Sequence, residues 1–188
     1  YGFYNYGSGT GSSASEGNDV INCTIVKQGY YGCYNRNQRE GEFSNNYVDS
    51  IVRNGYGLYN YYNNMMIVDA NEFLNCYYGL YLRYENYVGS TSDTSIVTNN
   101  ISKNNSYYGF YAYYINRIDF YHNVFEAGSN YYAFYCYSYR RNDIEFVNNI
   151  TISNGGYYGA YLYLGGGSYM PTRWDYNDHY HSNNTYYM

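Results

Sequence analysis

The sequence predicts an all-β fold of the parallel β-helix (solenoid) class, about six to seven coils of 22–30 residues forming a single domain over residues 1–188. Three observations carry this. A phrase of Tyr-Tyr-Gly, an apolar residue, Tyr and a mixed position recurs along the whole chain. A stretch of alternating apolar and polar residues follows most copies. The copies, marked by Gly2, Gly32, Gly57, Gly79, Gly109, Ala133 and Gly159, are separated by 30, 25, 22, 30, 24 and 26 residues. A period in that range marks units that cannot bury an apolar face alone and stack on their neighbours instead.

In chain order, the clipped first copy Tyr1-Gly2-Phe3-Tyr4-Asn5-Tyr6 precedes the alternating stretch Val20 to Ile25. Tyr30 to Asn35 repeats the phrase, and Arg36 to Gly41 reads as an inserted loop. Gly55 to Asn60 is followed by the alternating Met66 to Phe73, and Tyr77 to Leu82 by an insertion, Val88 to Asp93, and then Ile96 to Ile101. Tyr107 to Ala112 leads to Ile118 to Phe125, and Tyr131 to Cys136 to Ile144 to Ile152, the two clearest strand patterns. Tyr157 to Leu162, a third insertion at Gly165 to Pro171, and Trp174 to Asp178 complete the set. Aligning Asn22, Asn123 and Asn149 places each of them 10 residues before its repeat Gly or Ala, so register should hold there while the insertions take up the variation. Asn pairs at 45–46, 63–64, 99–100, 104–105 and 148–149 mark corners, because Asn tolerates left-handed backbone and can stack on the Asn of the next coil.

Stacking the copies creates columns. Cys33, Leu58, Leu80, Phe110, Phe134 and Ala160 should point inward, and so should Asn35, Asn60, Leu82, Ala112, Cys136 and Leu162. Between them stand Tyr34, Tyr59, Tyr81, Tyr111, Tyr135 and Tyr161, an outward tyrosine ladder and the candidate binding surface. A neighbouring column of Arg36, Tyr61, Arg83, Tyr113, Tyr137 and Tyr163 widens it. A bare aromatic stack of this length would expose more apolar surface than monomers usually carry, so a sugar or another chain is expected to cover it.

Composition narrows the partners. There are 36 Tyr and 20 Gly, charged residues make up only 13%, and the net charge is -5. Scattered arginines and a negative total argue against nucleic acid, and no apolar run is long enough for a membrane-spanning helix. The N-terminus shows no charged leader with an apolar core. Cys23, Cys33, Cys76 and Cys136 fall in different columns, which favours buried thiols over disulfides. Five Asn-x-Ser/Thr sites, at Asn22, Asn100, Asn104, Asn149 and Asn183, are near what an Asn-rich chain gives by chance.

The coils with Gly109-Phe110-Tyr111, the strands Asp119 to Phe125 and Glu145 to Ile152, and the closing Trp174-Asp175-Tyr176-Asn177-Asp178 resemble the right-handed parallel β-helix repeats of large secreted bacterial surface proteins, especially of Bacteroidota-like organisms. The resemblance spans nearly the whole chain and rests on structural motifs. It implies a right-handed helix and an extracellular or cell-surface location. Tyrosine is denser here than that pattern requires.

Pectin lyases and polygalacturonases, enzymes of this fold, cluster carboxylates on one outer face, as an acid and base pair or around calcium. The corresponding candidates are Asp119, Glu145 and Asp175, read as one column on successive coils, with His122 and Asp178 nearby. The Asp-Asp and Gly-His-Gly signatures of those enzymes are absent, so the expectation is no catalysis, no catalytic residue and no cofactor, with calcium on the three carboxylates a weak alternative. His179 and His181, without a third ligand in reach, read as surface residues. Arg36 with Arg39, and Arg140 with Arg141, read as solvated loop charge. The expected role is a structural and adhesive module, with a carbohydrate-binding or polysaccharide-degrading β-helix as the alternative. The chain begins inside a repeat and shows no helical cap at either end, which predicts end-to-end stacking on identical subunits or on further repeats of a longer chain.

Overall fold

A computed structural model describes residues 1–9, 14–51, 54–87, 94–128, 131–138, 143–155, 158–165 and 171–182. Every named strand pairing is parallel, and three seven-stranded sheets run the length of the molecule. The first sheet stacks Phe3–Tyr6, Tyr31–Arg36, Tyr56–Tyr61, Tyr78–Arg83, Tyr108–Tyr113, Phe134–Ser138 and Ala160–Leu164. The second stacks Val20–Ile21, Glu42–Ser44, Ile67–Asp69, Ser95–Thr98, Ile118–Tyr121, Ile144–Val147 and Arg173–Asp175. The third stacks Thr24–Val26, Tyr47–Asp49, Glu72–Leu74, Ile101–Asn105, Val124–Ala127, Ile150–Ser153 and Asp178–His181. Each coil visits the three sheets in turn, so the repeat in the sequence is one turn of a β-solenoid. The segment read as a loop from Arg36 to Gly41 instead carries a short strand, Gln38–Arg39, that pairs in parallel with Ser15–Glu16. The insertion at 88–93 lies outside the described residues, as does most of the one at 165–171.

The inward columns hold as read. Phe110, Phe134 and Ala160 pair on successive rungs and are buried, beside Cys33, Leu58 and Leu80. From the other two sheets Phe43, Phe73, Phe120, Phe125 and Phe146 complete a fully buried aromatic core. Phe110 stacks on Phe134 at 5.0 Å, and Phe146 stacks on Trp174 at 4.4 Å. Inward phenylalanines and outward tyrosines are what a two-faced strand demands, since only the outer face leaves a hydroxyl hydrated. The repeat glycine serves that packing. A Cβ on Gly57 would lie 2.6 Å from the carbonyl oxygen of Gly79 and 2.7 Å from Phe73 Cδ1, so a side chain would collide with the next rung and with the third sheet.

Between the second and third sheets the chain turns through one left-handed residue, in order Asn22, Asn45, Ala70, Asn99, His122, Asn148 and Tyr176, with φ between 52° and 56°. The next residue points inward and builds a ladder. The side-chain Nδ2 of Asn46, Asn71, Asn100, Asn123 and Asn149 each donates to Oδ1 of the following rung, ending at Asn177, over 2.9–3.2 Å. The same Oδ1 atoms accept the backbone N–H of the preceding rung's ladder residue at 2.8–3.0 Å. Cys23 opens this ladder, its N–H donating to Asn46 Oδ1 at 2.9 Å. The alignment of Asn22 with Asn123 and Asn149 is therefore off by one residue, and the matched 10-residue spacing does not include the first coil. Asn100 and Asn149, two of the five sequons, are buried in the ladder.

All four cysteines are free, and Cys33, Cys76 and Cys136 are buried. Burial pushes the Cys33 and Cys136 thiols well above their ordinary value and Cys76 up to about 12. No described helix is long and apolar enough to cross a membrane.

Candidate functional site

The outer face of the first sheet is built from three aromatic columns. In the central one Tyr4, Tyr34, Tyr59, Tyr81, Tyr111, Tyr135 and Tyr161 pair rung to rung. Their rings stack at 4.7–5.2 Å with interplanar angles of 9–17°. The spacing of the rings is that of parallel strands, so the backbone ladder sets the stack. Each stacked pair of this kind contributes roughly 0.5–1.5 kcal/mol beyond its buried area.

A second column, Tyr1, Tyr31, Tyr56, Tyr78, Tyr108, Tyr132 and Tyr158, runs beside it with ring spacings of 4.8–6.1 Å. It meets the first column edge to face, as Tyr31 meets Tyr34 at 5.2 Å and Tyr56 meets Tyr59 at 5.1 Å. Strict alternation counted back from Tyr34 would turn Tyr31 inward. The alternation breaks at Gly32 and Cys33, both buried, and both tyrosines emerge on the outer face. Reading the first tyrosines of the phrase as part of the motif rather than as a surface hid this column. The break at the glycine is the signal that reveals it.

The third column alternates rings with guanidinium groups. Arg36 lies over the Tyr6 ring at 5.2 Å and over Tyr61 at 5.1 Å, and Arg83 lies over Tyr61 at 5.5 Å and Tyr113 at 5.8 Å. Tyr113, Tyr137 and Tyr163 continue the column as stacked rings. Arg36 is therefore a member of the face and not loop charge, whereas Arg140 and Arg141 lie outside the described residues. Arg39 pairs with Glu40 at 3.1 Å.

This packing changes what the surface offers. Ring faces cover one another, so the face presents ring edges and hydroxyl groups, not bare aromatic planes. Burial, reinforced by neighbouring phenols, raises the Tyr78, Tyr81 and Tyr108 hydroxyls above their ordinary range and pushes Tyr135 up to about 12. The hydroxyls stay protonated donors at any physiological pH.

The carboxylate column is only partly formed. Asp119 and Glu145 are rung partners, but the next rung carries Arg173, and Asp175 pairs with Val147 instead. Asp175 makes a 3.7 Å ion pair with Arg173. Asp119 is held above the usual carboxylate range by burial and by Glu145, and the Tyr121 hydroxyl donates to Glu145 Oε2 at 2.7 Å. The three-carboxylate reading placed Asp175 next to Glu145 in the column, and Arg173 holds that position instead.

His179 is half-buried and not an open surface residue. It pairs with Thr151, its Nδ1 lies 2.6 Å from Thr151 Oγ1, and its ring stacks near Trp174 and Phe146. Burial lowers its pKa, and its Nε2 is buried without a hydrogen-bond partner. His122 occupies a left-handed corner, and His181 pairs with Ser153. All three histidines and all four cysteines are among the described residues, and within those residues no group of three His, Cys, Asp or Glu side chains could hold a metal ion.

A family model described as "Periplasmic copper-binding protein (NosD)" matches residues 2–183. No curated protein and no solved structure matches the chain.

Proposed function

The chain belongs to the periplasmic copper-binding protein (NosD) family, and from that premise we propose that it works on the outer side of the cytoplasmic membrane as a non-catalytic structural and adhesive β-helix. The observation that supports this is the outer face of the first sheet, two columns of stacked tyrosines and a third of tyrosine and arginine, continuous over seven rungs. A stack locked by the backbone ladder is a rigid contact surface whose ordering entropy is already spent on folding, which favours recognition. The parallel ladder supplies the axial half of the role, since a further coil, of this chain or of another copy, can pair on an outermost strand.

Copper, named in the description of the family, does not fit the donors among the described residues. A soft or borderline site needs clustered imidazole, thiolate or thioether groups. Here His179, whose Nε2 is buried without a hydrogen-bond partner, belongs to no group of three His, Cys, Asp or Glu side chains among the described residues, and burial keeps the Cys33 and Cys136 thiols protonated, the form that does not ligate. Copper carries no part of the proposed role.

Two measurements test the proposal. Fractionation of the producing cells should place the protein in the periplasm or on the surface, and Tyr81→Ser with Tyr135→Ser should weaken its retention on the cell envelope while the β circular dichroism is kept. Free protein in the cytosol, or a variant retained like the parent, would overturn it. Cleavage of a polysaccharide that Asp119→Asn and Asp175→Asn abolish would replace it with the catalytic reading.

A further inference from the structure

We propose that Arg36 and Arg83, stacked on the two faces of Tyr61, bind successive carboxylates of a linear acidic polysaccharide lying along the helix axis. The inference rests on the reading of this face as a contact surface and names its occupant.

The charge pattern points to an anion. The chain as a whole is acidic, with 15 Asp and Glu against 10 Lys and Arg, yet none of the seven strands of the first sheet contains an acidic residue, while two of them end in arginine. Neither Arg36 nor Arg83 has an ion-pair partner among the described residues, and the Nε of each is buried without a hydrogen-bond partner. Two half-buried guanidinium groups flank a single ring at 5.1 and 5.5 Å with no counter-charge between them. A carboxylate docked on their outer N–H groups would supply it through charge-assisted, forked hydrogen bonds.

The geometry selects the kind of anion. The two arginines are two rungs apart, about 10 Å at the ~4.8 Å spacing of parallel strands, so the ligand must repeat its charge along a line parallel to the axis. Ring faces are already covered by neighbouring rings, which leaves nothing for nucleic-acid bases to stack on. The strands that carry Arg36, Tyr61 and Arg83 are paired on both sides, so no peptide can join as an extra strand beside them. What the surface does offer is a row of phenol hydroxyls beside two cations, with Arg36 acting on the Tyr34 hydroxyl and Arg83 on that of Tyr59. A hydroxyl-dense chain with regularly spaced carboxylates matches both.

The test uses the full chain with four probes: a soluble polyuronate, a neutral glucan of similar length, polyglutamate and a single-stranded oligonucleotide. Calorimetry should show binding to the polyuronate alone, and Arg36→Gln and Arg83→Gln should each weaken it about tenfold, the value of one charged hydrogen-bonded contact. Arg→Lys at either position should recover only part of the loss, because an ammonium lacks the planar fork. Circular dichroism of each variant confirms the fold. Equal binding of polyglutamate or the oligonucleotide, or no binding of the polyuronate, overturns the proposal. If Tyr81→Ser with Tyr135→Ser still abolishes envelope retention while the arginine variants do not, the contact face stands and the acidic glycan falls.

Discussion

Asn60 and Leu82 are rung partners, and between them an amide ladder stops. Asn5 donates to Asn35 at 2.8 Å and Asn35 to Asn60 at 3.1 Å, but Asn60 Nδ2, fully buried, meets the leucine and has no partner. A buried ladder made of one residue type always leaves one donor over at its end, and an apolar next rung cannot take it.

The position within that ladder decides what a substitution costs. Asn60→Leu transfers the orphan to Asn35 while removing a buried amide, so urea unfolding should stay within about 0.5 kcal/mol of the parent. Asn35→Leu instead strands Asn60 Oδ1 as well, and should cost about 1–3 kcal/mol. Equal losses for the two variants would show that the orphan is satisfied in solution.

The corner ladder should respond more strongly. Asn100 Oδ1 accepts from both the N–H and Nδ2 of Asn71, and its own Nδ2 donates to Val68 O at 2.8 Å and to Asn123 Oδ1 at 3.0 Å. Asn100→Ala leaves several of these groups buried and unpaired, a loss of about 3 kcal/mol or more. Cys23→Asn, at the open end of the same ladder, would add a donor facing Asn46 Oδ1 and should stabilise by roughly 0.5–1.5 kcal/mol. Denaturation midpoints of the two variants should move in opposite directions.

These ladders also explain which parts of the structure are legible in the sequence. The inward columns and the central tyrosine column follow from the repeat phrase, because period two and a fixed glycine set the register. The carboxylate column does not, since it rests on similarity of composition between strands. Counting back four residues from each ladder asparagine gives Asp119 from Asn123, Glu145 from Asn149 and Arg173 from Asn177, so the ladder, not the resemblance of the strands, is the ruler. Without it Asp175, two residues along the same strand from Arg173, slips into the wrong column. Asn22 slips for a related reason: an asparagine at the left-handed corner and one in the ladder look alike in sequence, and only the hydrogen-bond partner separates them. The second tyrosine column is hidden by the glycine that breaks the alternation.

Glu85 makes stability depend on pH. The side chain is fully buried, Oε1 accepts from Ser95 Oγ at 2.9 Å, and Oε2 has no partner. Burial pushes its pKa up to about 8. A carboxyl that binds its proton more tightly in the folded chain stabilises fully below its unfolded pKa of roughly 4.3 and progressively less as pH rises towards the folded value. Stability should therefore fall by a few kcal/mol between about pH 4.5 and 8. Glu85→Gln, which keeps the shape without the charge, should flatten that slope and exceed the parent at pH 8. A parent and variant with parallel pH profiles would place the carboxylate in contact with water.

The tyrosine face sets an alkaline limit of the same sign. The Tyr78, Tyr81 and Tyr108 hydroxyls are raised above their ordinary value, first by burial and then by neighbouring phenols that would repel a second phenolate. A raised folded pKa means that the contribution is complete below the unfolded value of about 10 and is lost as pH climbs above it. Ionisation of one ring in a stack also raises the cost of ionising the next, so the face resists and then gives way as a unit. Phenolate absorbance should lag behind that of free tyrosine above pH 10 and then rise steeply together with loss of the β circular dichroism. Replacing Tyr78, Tyr81 and Tyr108 with Phe keeps the rings stacked and removes the titrating groups. That variant should keep its stability at neutral pH and unfold at a higher pH than the parent. Gradual ionisation near pH 10 with the β signal intact would show that these rings are open to solvent and that the columns do not pack as described.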